Sequence, residues 1–142
     1  FILGAGGVVP SIIVALNHLN VSKIILSNRS NDKAMNLKKK FPFISLVTWG
    51  QLQDFDMIIN ATSIGLNRDD KIPINFNNTK PGGLFYDIIY NPKETNFLLE
   101  AKKKGNLIEN GKMMFVYQAQ LAFELWFNFK PEINEEVIKL VE

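Results

Sequence analysis

The run Gly4-Ala5-Gly6-Gly7-Val8-Val9 does its chemistry with backbone. One glycine turns the chain tightly, another lets an anion approach the main chain, and a helix opening at Val8 presents N–H groups and the positive end of its dipole. A pyrophosphate suits that geometry. Val9 stands where the G-x-G-x-x-G/A pattern has its third small residue, so the run alone also fits a glycine-rich turn without ligand. About 20 residues on, NAD enzymes carry Asp or Glu for the ribose 2′-hydroxyl; here the chain has Asn28-Arg29-Ser30. A carboxylate there would repel a 2′-phosphate, whereas an amide, a guanidinium and a hydroxyl bind one, and arginine also lies flat against adenine. The residues therefore favour NADP over NAD. At ~1.5–3 kcal/mol per charge-assisted bond, Arg29 alone supplies roughly a ten- to hundredfold preference. Lys33 adds to this: with Ser30 as N-cap it falls at the third helical position, where the dipole disfavours a cation and a phosphate would reverse the penalty. A solvated lysine beside Asp32 is the alternative there.

Other candidates lie further along. Thr62 and Ser63 follow the apolar run 57–60, at the strand end where open α/β sheets bind ligands. Asp87 ends another apolar run, and burying it requires hydrogen bonds from the following loop; it is given no catalytic role. His18, the only histidine, falls in the last turn of the first expected helix and suits its dipole. In the last long helix Gln120, Glu124 and Asn128 form the expected solvent stripe, which puts Gln118 ~200° round the axis and away from water. A buried amide there needs partners, either substrate hydroxyls or neighbouring backbone. Lys38-Lys39-Lys40 reads as a solvated helix end.

These residues need a scaffold that gathers strand ends on one edge. Short apolar runs at 1–3, 23–27, 45–48, 57–60, 84–87 and 107–109 alternate with helical spacing at about 8–19, 31–41, 96–104, 112–127 and a short stretch after Pro131. That alternation predicts an α/β fold, a Rossmann-type doubly wound parallel sheet of about six strands, with residues 1–142 forming one dinucleotide-binding domain. The 142 residues are 46% hydrophobic and 21% charged, which predicts a packed core and excludes a disordered chain. A net charge of +2 gives no reason for a nucleic-acid partner. The apolar opening is too short and too rich in glycine and proline to span a membrane. With no cysteine, thiolate metal sites and cysteine nucleophiles are excluded, no metal is expected, and the cytoplasm is the default compartment. Because the chain opens inside an apolar run, its first strand is read as truncated, and the chain as a fragment.

Three further motifs give these features a family. Asn60-Ala61-Thr62-Ser63-Ile64-Gly65, Asp87-Ile88-Ile89-Tyr90-Asn91-Pro92, and Asn110-Gly111-Lys112-Met113-Met114 leading into Val116-Tyr117-Gln118-Ala119-Gln120, stand in register with the glycine turn and Asn28-Arg29-Ser30. Together they resemble the NADP-binding C-terminal half of shikimate dehydrogenase over nearly the whole chain. The resemblance implies NADP-dependent reduction of 3-dehydroshikimate to shikimate, a cytoplasmic step of aromatic amino-acid biosynthesis. It implies that Gly4, Ala5, Gly6, Gly7 and Val8 hold the pyrophosphate and that Asn28, Arg29, Ser30 and Lys33 hold the 2′-phosphate. Thr62, Ser63, Ile88, Gly111 and Met114 would line the cofactor. Tyr90 and Gln118 would reach the substrate, the phenol towards its carboxylate and the amide towards its ring hydroxyls. The family's catalytic lysine and aspartate belong to an N-terminal substrate domain, so no residue here is given the proton-transfer role and the chain alone is expected not to turn over. The final helices are expected to pack partly on that domain; alone, the chain would expose apolar surface and associate, with a homodimer left open. Pro10 and Ser11 stand where the family often has a basic residue. A quinate/shikimate dehydrogenase, a glutamyl-tRNA reductase-like domain and a non-catalytic NADP-binding module are the alternatives.

Overall fold

The computed structural model describes residues 1–141. Its strands are β1 (Ile2–Leu3), β2 (Ile25–Ser27), β3 (Ser45–Val47), β4 (Met57–Asn60), β5 (Leu84–Asp87) and β6 (Leu107–Glu109). All five pairings are parallel and the order is β3-β2-β1-β4-β5-β6. This is the doubly wound arrangement expected from the alternating runs, and its order reverses between β1 and β4, where such sheets bind ligands. The expected strand at 23–27 begins only at Ile25.

Period-two alternation sends successive strand residues to opposite faces. Ile2, Leu26 and Ile59 pack with Val9 and Ile13 of α1 (Val9–His18) and Ala34 and Leu37 of α2 (Asn31–Lys40). Leu3, Ile58 and Phe85 pack with Phe97, Leu98 and Ala101 of α3 (Asn96–Lys103). The central strands β1, β2 and β4 are thus covered on both sides, which is why short, mostly apolar runs suffice there, while the edge strands β3 and β6 stay partly exposed. Thr95 caps α3, its hydroxyl accepting from the Leu98 N–H, and Gly105 takes the left-handed conformation beyond its end. Lys38 corrects the reading of 38–40 as solvated: its ammonium donates to the carbonyls of Pro42 and Ile44 and ties the end of α2 to the segment entering β3.

The last elements differ. α4 (Lys112–Phe127) is apolar nearly all round yet buries only Val116. Leu121, Leu125, Trp126 and Phe127 are exposed, Leu125 by 84% and Trp126 by 77%. Asn128, left-handed at φ 49°, ends the helix, and α5 (Glu135–Lys139) follows. Among the described residues, no helix is long and apolar enough to cross a membrane.

Candidate functional site

The glycine turn lies between β1 and α1, at the reversal of strand order. Gly4 has φ 109°, and its N–H donates to the Ser27 carbonyl at 2.8 Å. A Cβ there would sit 2.7 Å from the Ala61 carbonyl oxygen, so only glycine lets β1 run this close to the loop after β4. A Cβ on Gly7 would meet nothing within 4 Å, so the second half of the turn is open. Val9, the departure from the small-residue pattern, is fully buried beside Ile2, Ile13 and Leu26 and does not block the turn. No side chain caps α1 at Val8, and Pro10 sits in the opening turn where its missing N–H costs little. That end of the helix can accept an anion.

Two hollows meet over these strand ends. The first, of about 380 Å³, brings together Gly4, Ala5 and Gly6 with Asn28, Arg29 and Lys33, and with Thr62 and Ser63. No carboxylate is among its described lining residues. The second, of about 480 Å³, shares Gly6, Thr62 and Ser63 and continues along Gly7, Val8 and Ile88 to Tyr90. One groove therefore runs from a basic pocket, past the glycine turn, to a phenol. Ser30 occupies the N-cap of α2 as expected, but its hydroxyl makes no capping bond and it lines neither hollow; its carbonyl accepts from Asn28 Nδ2 at 2.7 Å.

The floor of the groove is held by a buried polar cluster. Asn60 and Asp87 end the paired strands β4 and β5, and both are fully buried. Asn60 Nδ2 donates to Asp87 Oδ1 and to the Ile64 carbonyl, each at 3.0 Å. Asp87 also accepts from the Ile89 N–H at 3.0 Å and the Thr95 hydroxyl at 2.6 Å. One carboxylate thus fastens the loops after β4 and β5 to the cap of α3, the loop-bonding role expected of it. Burial pushes its pKa up, and the bonds from Thr95, Ile89 and Asn60 pull the other way. Thr62 donates its hydroxyl to Asn60 Oδ1 at 2.7 Å and accepts from the Ile64 N–H, so that hydroxyl serves the turn. Ser63 is exposed on the groove.

Tyr90 stacks on Phe115, in the first turn of α4, with ring centroids 4.9 Å apart. Gly111 starts that helix against the loop after β5: its N–H donates to the Ile89 carbonyl, and a Cβ would fall 1.9 Å from the Ile88 oxygen. Gly111, Met114 and Gln118 line neither hollow. Gln118 corrects the helical-wheel expectation, since it is exposed. Gln120, expected in water, is half-buried and donates to the Pro131 carbonyl at 2.7 Å. The inversion arises because α4 leaves large apolar side chains exposed, so polarity does not mark its solvent side, while the returning chain at Pro131 covers Gln120. Gln118 lies three residues after Phe115, hence on the stripe that meets Tyr90. The motif reading missed Trp49, which lines the basic hollow. The strand-end rule that singled out Arg29 reaches it as well, since Trp49 follows β3 by two residues.

Comparison with known proteins agrees with this geometry. The family described as Shikimate 5′-dehydrogenase C-terminal domain matches residues 114–138. The shikimate dehydrogenase (NADP(+)) of Pelagibacter ubique is 57% identical over 141 residues, covering 99% of this chain and 53% of the relative. The crystal structure of shikimate dehydrogenase from Aquifex aeolicus superposes with TM-score 0.84 at 33% identity, over 99% of this chain and 51% of that one. The Thermus thermophilus enzyme, solved in complex with NADP(H) and shikimate, gives TM-score 0.84 at 29% identity, over 99% and 54%. The chain spans about half the length of the curated relatives it matches. In sequence and in fold it corresponds to the C-terminal half of shikimate dehydrogenases.

Proposed function

We propose that this chain, as the counterpart of that C-terminal half, is the NADP-binding part of a cytoplasmic shikimate dehydrogenase that interconverts 3-dehydroshikimate and shikimate. The observation that carries the reading is the basic hollow at the end of β2, where Asn28, Arg29 and Lys33 converge beside the glycine turn. Two cationic side chains, with no carboxylate among the described lining residues, suit a 2′-phosphate and do not suit the bare ribose hydroxyls of NAD. The groove beyond is continuous past Gly6, Gly7 and Val8 to Ile88 and Tyr90, the path a dinucleotide needs.

In this reading the backbone of Gly4 to Val8 and the start of α1 hold the pyrophosphate. Asn28, Arg29, Ser30 and Lys33 hold the 2′-phosphate, Ser30 through a hydroxyl that capping leaves unused. Thr62, Ser63 and Ile88 shape the wall, while Gly111 and Met114 set α4 at the nicotinamide end. NADPH, when bound, supplies the hydride. Tyr90, oriented by Phe115, and Gln118 on the same side of α4 reach the substrate, the phenol towards its carboxylate and the amide towards its hydroxyls. The proton to the reacting oxygen comes from a lysine and aspartate of the N-terminal substrate domain, so the chain alone binds NADPH without turnover.

Titration with NADPH and NADH tests this. The wild type is expected to prefer NADPH by roughly ten- to hundredfold, and Arg29→Ala to lose most of that preference while NADH binding stays the same. Equal affinity of the wild type for the two dinucleotides would overturn the assignment.

A further inference from the structure

We propose that Trp49 is the platform on which the purine of the bound dinucleotide stacks, so that the base is held by an aromatic face beside the cationic group that takes its 2′-phosphate. The inference rests on the NADP reading and adds a residue to it. Register brings the two groups together. β2 and β3 pair with Ser27 opposite Val47, Arg29 stands two residues beyond Ser27, and Trp49 two beyond Val47. The strand ends are tied past the last pairing, because the buried Ser27 hydroxyl donates to the Thr48 carbonyl at 3.1 Å. The Gln51 N–H closes a turn on that same carbonyl at 3.0 Å, so Trp49 sits at a fixed corner.

The indole is partly buried against the core that includes Leu3, Ile58 and Phe85, yet it also lines the hollow that holds Arg29, Lys33 and Asn28. A large aromatic group anchored behind and open in front, beside two cations, matches a flat base joined to a phosphate. Stacking on such a face recognises the π-surface of a base and loses little entropy when the ring is already fixed. The ligand chemistry is that of a purine nucleoside 2′-phosphate.

The chain has two tryptophans, so Trp126→Phe leaves Trp49 as the sole indole reporter. Titrating that variant with adenosine 2′,5′-bisphosphate, which carries no nicotinamide to absorb the emission, is expected to quench Trp49 saturably, with a midpoint equal to the calorimetric Kd. Adding Trp49→Leu is expected to weaken binding by roughly ten- to hundredfold, and Trp49→Phe, which keeps a stacking face, to retain most of it. If the leucine variant does not fold, the phenylalanine variant and the quenching carry the test. Binding without any emission change, and with affinity indifferent to both substitutions, overturns the role of Trp49 and leaves the NADP reading standing. No binding by the parent chain overturns the NADP reading, and this inference with it.

Discussion

The two ends of the chain solve opposite problems. Around the carboxyl ends of β1, β2 and β4, backbone crowds backbone: Gly4 clears the Ala61 carbonyl only because it has no side chain, and polar groups such as Asn60 and Ser27 are buried with their partners in place. Along α4, large apolar side chains face water, and Phe123 packs mainly on its own neighbours, with ring centroids 4.5 Å from Phe127 and 6.3 Å from Phe129. The first region is finished by the chain's own residues. The second has the composition of an interface, and half of each full-length relative lies outside the matched span. The first surface is closed by its own backbone, and the second leaves its aromatics exposed.

Substitutions can break this contrast. The largest effect is expected from Gly4→Ala, where positive φ and the clash with Ala61 together cost about 2–5 kcal/mol. Thermal melts should fall accordingly and NADPH titration should show no binding; a variant that melts and binds like the wild type would mean the turn is not crowded. A middle effect is expected at Asp87. Its folded pKa is raised above the ordinary 3.8, so through the window between the two values the folded chain holds a proton that the unfolded chain has released. The stability this group contributes therefore falls as pH rises through that window and returns on acidification. Urea melts of wild type and Asp87→Asn across that range should show their difference shrinking as pH rises, and a constant difference would contradict the raised value. The smallest effect on stability is expected from Leu125→Lys with Trp126→Lys, within about 0.5 kcal/mol, because neither side chain supports the core. Light scattering behind a sizing column should show less self-association for the pair than for wild type. A loss of more than about 1.5 kcal/mol would show that α4 holds the fold up.

Legibility in the sequence followed the same division. The central strands could be read because they are short, mostly apolar runs covered on both faces, and strands alternating with helices implied a parallel doubly wound sheet. Arg29 and Lys33 could be placed because position relative to a strand end fixes where a side chain emerges. The strand before Trp49 is legible at 45–48, but only the pairing register of β2 and β3 sets Trp49 beside Arg29, and no motif carries that register. Gln118 was turned the wrong way because a helical wheel assumes that polar residues mark water. On a helix that leaves its largest apolar side chains exposed, that assumption fails. Lys38 failed for a related reason: charge pattern does not reveal carbonyls brought near by the turn at Pro42.

The stacking of Phe115 on Tyr90 has a mechanical consequence. α4 is a 16-residue helix and so a rod about 24 Å long, pinned at its first turn by Gly111 and that ring pair, with Trp126 near its far end. A tilt of about 5° about the pinned end carries the tip roughly 2 Å while the pinned turn scarcely shifts. Whatever grips the distant aromatics therefore works a long-armed lever whose fulcrum is the phenol at the rim of the groove.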